Sequence, residues 1–272
     1  MIVLDAGDSW ELVMQPHHGD LAGQLAAEWG NDEFAAPRSR AAMVLAATRH
    51  DDGWAVWERW AEVEPDGEHR PVSFLQAEIP SHIDFYRAAV TDVTRRDPYA
   101  GFMVAMHAAG LYRMRYETHP QMGTMSGAEE HRDRIASFLD ELESSYPRRR
   151  AECRLDESEQ WTNYRLLQVF DRLSLYFSGF FKVAAGDVHT IAPVPLDYEG
   201  GETEIQVEAT LGFEPFSPTH VRIAPYPFGA SPATFTLERR LLPKQSWTSE
   251  EFREALVKAP LESIQIRAER DA

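Results

Sequence analysis

Cysteine is almost missing from this chain. Cys153 is the only one in 272 residues, which excludes an intramolecular disulfide and fits a reducing interior. No apolar run is long enough to span a bilayer. The first residues, Met1-Ile2-Val3-Leu4-Asp5, lack the basic region and long apolar core of a secretory signal, so the cytoplasm is the expected location. Positive charge is scarce: 27 Lys and Arg stand against 44 Asp and Glu, a formal net charge of −17. That balance works against docking on a nucleic-acid polymer or an anionic membrane. A small anionic molecule, met by a local arginine or a metal, remains the expected partner, and the oligomeric state is left open. Several signatures are also absent: a P-loop, a glycine-rich dinucleotide turn after a strand, and a nucleophile-elbow serine. Cys153 sits in the charged segment Ala151-Glu152-Cys153-Arg154, with nothing to activate it as a nucleophile.

What is present argues for a folded globule, with 43% apolar and 11% aromatic residues. Met1–Leu4 and Trp10–Met14 read as a strand–turn–strand ahead of Gln15-Pro16. Helical spacing of Leu21, Leu25 and Trp29 predicts a helix from about His17, with His18 on the same stripe. Further helices are expected over 40–49, 82–95, 98–114, 129–146 (stopped by Pro147 and the basic run Arg148-Arg149-Arg150) and 157–181, with Glu117–Gly127 a loop. Beyond Gly186 the period changes to two, Ile205, Val207, Ala209 and Leu211 alternating with polar residues as in a half-exposed strand. Strands are also expected at Val221/Ile223, Phe235/Leu237 and Ile264/Ile266, and Thr248-x-x-Glu251 has the form of a capping box before a short helix. The expectation is α+β: a mainly helical body over 1–185, with the N-terminal strand pair, and a small antiparallel β-rich extension over 186–272. The N-terminal strands are free to pair with that extension and draw both parts into one compact unit.

Chemistry-bearing residues recur on separate apolar helices. His50-Asp51 closes the run Ala41–Arg49 and leads into Asp52-Gly53-Trp54; His107 follows Met103-Val104-Ala105-Met106; Asp171 lies between Val169-Phe170 and Leu173. Together with His18 they form a set of imidazoles and carboxylates able to converge on a metal between helices. Mixed nitrogen and oxygen donors suit Mn, Fe, Ni or Zn. Plainer readings exist for each. His50-Asp51-Asp52-Gly53 also has the form of a helix C-terminal turn, His17 competes with His18 as ligand, and Asp171 can pair with nearby arginines. Asp52 is a candidate for handling a proton near the metal water. Arg96 and Arg113 are candidates to clamp an anionic substrate, with Tyr112 and Trp54 walling its pocket.

The order His18, His50-Asp51, Asp171 resembles the HD superfamily of metal-dependent phosphohydrolases, named for a His-Asp pair at a helix end. That resemblance implies an HD-like helical bundle in which His18, His50, Asp51 and Asp171 hold a divalent metal, and hydrolysis of a small phosphate ester or nucleotide. His107 as a fifth ligand would admit a second ion, as in the di-iron oxygenase branch of that superfamily. A non-catalytic scaffold whose histidines only pack is the third expectation. The segments Gln15-x-x-His18, Trp29, His50-Asp51-Asp52-Gly53-Trp54, Arg96-Asp97-Pro98-Tyr99 and His107-x-x-Gly110-Leu111-Tyr112 are similar, over most of the chain, to an uncharacterised bacterial family, domain of unknown function 3891.

Overall fold

The computed structural model describes every residue except 66–68, 116–128, 182, 185–186, 203–207, 218 and 271–272. The expected 117–127 loop and the first residues of the expected 204–211 strand therefore lie outside the described residues. An N-terminal hairpin, β1 (Ile2–Asp5) and β2 (Ser9–Val13), leads into α1 (Gln15–Glu28), α2 (Arg40–Arg49), α3 (Trp54–Glu58), α4 (Ile79–Arg96) and α5 (Pro98–Arg113). Next come α6 (Arg132–Glu143), α7 (Tyr146–Cys153) and α8 (Glu157–Phe177). The remainder is β3 (His189–Pro195), β4 (Glu208–Ser217), β5 (His220–Ala224), β6 (Ala233–Pro243), α9 (Ser249–Lys258) and β7 (Glu262–Arg270). No helix among the described residues is long and apolar enough to cross a membrane.

Helix starts follow local chemistry. Asp97 accepts the Ala100 N–H at 2.9 Å and Asp156 accepts the Glu159 N–H at 2.6 Å, so both side chains satisfy first-turn donors of α5 and α8. Pro147, expected as a helix stop, instead sits in the first turn of α7, where a missing N–H costs nothing. The Thr248–Glu251 capping box forms in full at α9. Every residue of α5 from Tyr99 to Leu111 is buried, the mark of a helix surrounded by others.

The expected mainly helical, HD-like bundle with a small antiparallel sheet is not what the chain builds. Seven strands form one curled sheet in the order β1-β2-β6-β7-β5-β4-β3, neither small nor purely antiparallel, because β5 and β7 run parallel. Two physical reasons account for the difference. Parallel pairing of His220–Ile223 with Arg267–Arg270 joins segments more than forty residues apart and leaves no local pattern. The strand β3 carries Pro193 and Pro195, which read as breakers, and it is tolerated because it lies at the sheet edge.

One face of the sheet, with Phe235, Leu237 and Ile266, packs into the main core with α1 and α8; on the other, Val3, Trp10, Leu12 and Leu242 meet Phe252 and Leu256 of α9. Gln24 of α1 ties that helix to the sheet. Its amide donates to the Thr236 carbonyl and accepts the Thr236 N–H, both at 2.8 Å, taking up backbone groups of β6 beyond the reach of β2.

The packing of α1 on α2 sets the site. A Cβ on Gly19 would stand 2.5 Å from the Thr48 carbonyl oxygen, and one on Gly23 would overlap the Thr48 hydroxyl. The two backbones therefore approach closely at this crossing, which carries His18 toward His50. Helix propensity alone would make Gly19→Ala stabilising by up to ~1 kcal/mol. The clash is with backbone, so we expect a loss of about 1–3 kcal/mol instead. Urea denaturation checks the sign, and a stabilised variant would refute the close-contact account.

Candidate metal centre

Four helices close a ring, α1 against α2, α2 against α5, α5 against α8 and α8 against α1. Each turns a chemistry-bearing residue inward. His18 comes from α1, His50 and Asp51 from the end of α2, His107 from α5 and Asp171 from α8. All are buried, from 0% exposure at His50 to 6% at Asp51. Carboxylates at that depth need compensating positive charge. His18 Nε2 lies 2.9 Å from Asp171 Oδ1 and 3.8 Å from Asp51 Oδ2; His50 Nε2 lies 3.4 Å and 3.5 Å from the same two oxygens. Two triads, His18/His50/Asp51 and His50/His107/Asp171, each keep their donor atoms within 4.8 Å of one another.

The ring orientations are fixed from behind. His50 Nδ1–H donates to the Ala47 carbonyl at 2.7 Å, which leaves Nε2 as the inward nitrogen, and among the described residues Nε2 makes no hydrogen bond of good geometry. The Ser174 hydroxyl donates to the Asp171 carbonyl at 2.8 Å, so it accepts His18 Nδ1–H at 2.8 Å and turns the His18 Nε2 lone pair toward a carboxylate. Facing lone pairs repel unless a proton or a cation lies between them. Two donors each about 2.1 Å from one ion stand about 3.0 Å apart at a right angle and about 3.4 Å apart at a tetrahedral angle. The observed separations fall around those values, so the residues fit a divalent metal.

Support extends outward from the ligands. Tyr86 Oη–H donates to Asp51 Oδ1 at 2.8 Å, leaving Oδ2 for the centre. Burial, then the charges of Asp51 and Asp171, push the Tyr86 phenol well above its ordinary range, so it stays a donor. The Gln168 amide nitrogen is bonded to His107 Nδ1 at 2.9 Å while its Oε1 has no partner among the described residues. Turned over, the amide would accept Nδ1–H and leave His107 Nε2 as a ligand. A cavity of about 30 Å³ touches His18, Asp51, His107 and Asp171, with Trp54, Phe74, His82 and Tyr86 among its other walls. That is room for about two water-sized occupants.

His18, His50, Asp51, His107 and Asp171 are thus brought together. His17 is turned away; burial and then Arg240 lower its pKa. Asp52 is half-buried beside Arg49 at 3.4 Å and does not line the cavity. Arg113 is exposed and bidentate to Glu143 at 3.0 and 2.6 Å, and Arg96 is exposed at the end of α4. Tyr112 stands one step back, its Oη 2.6 Å from His82 Nδ1. Sequence reasoning passed over Ser174, Gln168, Tyr86 and His82. The last two share one face of α4 at i and i+4.

The family model described as "Protein of unknown function (DUF3891)" matches residues 1–244. No curated protein and no solved structure matches the chain.

Without metal, His50 should act as a buried cation. Burial alone would lower its pKa, but Asp51 and then Asp171 outweigh that and raise it from 6.5 to about 9. A raised pKa means the stabilisation is complete below about 6.5 and lost as pH rises through about 9. Denaturation of metal-free protein across that range should show declining stability, and His50→Gln should remove that part of the decline.

Proposed function

The chain belongs to the DUF3891 family, and we propose that it is a metal-dependent hydrolase acting on a small phosphate ester or nucleotide through one ion held by His18, His50, Asp51 and Asp171. The observation that carries this reading is the inward pair of imidazole Nε2 atoms facing two buried carboxylates at the spacings of a coordination shell. The set of two histidines and two aspartates is similar to the one that the HD-type phosphohydrolases use. Such a metal supplies a more acidic water and charge stabilisation for a phosphoryl oxygen.

The chain's own groups do the rest. The Ala47 carbonyl and Ser174 hold the two rings so that Nε2 faces inward, and Tyr86 holds Asp51 by its outer oxygen. His82, in the cavity wall with Nδ1 bonded to Tyr112 Oη, is better placed than Asp52 to move a proton. One ion is favoured over two. Both triads draw on the same His50, whose Nδ1 is committed to Ala47, so its single inward nitrogen serves one metal. That consideration weighs against the di-iron alternative.

Protein purified without added metal should carry about one equivalent of Mn, Fe, Ni or Zn. Elemental analysis should show the metal lost in His50→Ala and Asp171→Ala. Ser174→Ala should bind it about 10–100-fold more weakly, since only ring orientation is disturbed. A protein that neither contains nor takes up metal would sink the reading.

A further inference from the structure

We propose that the surface cavity between the first hairpin and the Phe74 turn is the entrance by which an anionic substrate of the phosphate-ester class reaches the metal chamber, with Phe74 as its movable partition and Arg70 as the group that engages the anion. The inference rests on the hydrolase reading above. A space of about 30 Å³ holds an ion and water but not the reacting end of an ester, so it must widen on one side to admit one.

Three larger cavities border the described residues. One, of about 270 Å³, lies between the end of α8 and the sheet, and another, of about 290 Å³, lies beside Arg115 and Trp161. Among the described residues, neither shares a wall residue with the chamber. The third, of about 310 Å³, is lined by Leu4, Trp10, Arg70 and Phe180, and it shares Phe74 with the chamber. The Phe74 ring stands between the two spaces, its centroid 6.2 Å from Trp54 on the inner side and 5.4 Å from Phe180 on the outer.

The Phe74 backbone is held by hydrogen bonds, and its ring by packing alone. The Phe74 N–H donates to the Met1 carbonyl at 3.0 Å, and the Ser73–Gln76 capping box fixes the turn. The ring itself is only half-buried, so opening needs a side-chain rotation rather than loop movement. At the mouth, Arg70 is exposed, its guanidinium 5.8 Å from the Trp10 ring, and it has no carboxylate partner among the described residues. The nearby Asp5 is engaged by Lys244 at 2.5 Å. In a chain of net charge −17, an exposed guanidinium beside an aromatic floor, with no carboxylate on it among the described residues, is a local attraction for an anion.

The test uses full-length, metal-free protein and diethyl pyrocarbonate, with modification of His82 and His107 mapped by mass spectrometry. Phe74→Ala should speed modification by roughly tenfold or more, Phe74→Leu by less, and Phe180→Ala, which lines only the outer space, by under about twofold. Inorganic phosphate should slow the reaction in the otherwise unchanged protein and lose that effect in Arg70→Ala. Equal rates in the two Phe74 variants and the parent overturn the partition. Phosphate protection that is absent, or that persists in Arg70→Ala, overturns the anion site. Because no metal is needed, a negative result here is distinct from failure of the hydrolase reading, which metal titration decides.

Discussion

Asp51 and Asp171 are almost wholly buried, and their two negative charges are the constraint around which the helical layer is arranged. A carboxylate taken out of water without compensation costs several kcal/mol after relaxation. His18 and His50 form ion pairs with both, and among the described residues the wall of the adjoining cavity contains no lysine or arginine. Tyr86 relieves one oxygen of Asp51 with a neutral hydrogen bond. Protons on the imidazoles, or a divalent metal, can complete the charge of such a pocket.

Holding such a pocket together takes more than the four helices that line it. The closeness of α1 to α2 depends on Gly19 and Gly23 accepting Thr48 where any side chain would collide. The position of α1 is in turn fixed by Gln24 on β6, and past the helix end by the Gly30 N–H donating to the Pro227 carbonyl at 2.9 Å. The sheet is therefore the frame that carries His18 to its partners. This is why a fold that departs from a simple bundle can still present a bundle-like constellation: convergence needs only four inward positions, whatever holds the helices from outside.

How much of this was legible in the sequence follows from the range of each interaction. Helices with apolar stripes declared themselves, and with them the inward positions of His18, His107 and Asp171. His50-Asp51 was visible because a charged pair at the end of an alanine-rich run has to be turned somewhere. The orientation of neighbours in that turn was not. Asp51 points to the centre and Asp52 to Arg49, although both are acidic and adjacent. Ser174 and Gln168 were hidden for another reason. They lie on the inward side of α8 near Asp171, but a serine or glutamine inside a helix carries no sign of which ring it will hold. The sheet escaped most completely, since the β5–β7 pairing is non-local and the prolines of β3 imitate a loop.

The charge balance also limits what can occupy the centre. Two carboxylates with neutral imidazoles sum to −2, which a divalent ion cancels and a monovalent one does not. In a poorly solvated interior that difference is large. The same cancellation is available to protons, one of which His50 accepts readily beside Asp51 and Asp171. Proton and metal thus compete for the same inward nitrogen. A metal at the proposed centre would have to displace the proton from His50 Nε2, and its apparent affinity would then grow as the solution becomes more alkaline. The geometry that makes the metal-free fold depend on a buried imidazolium is the geometry on which the proposed metal centre rests.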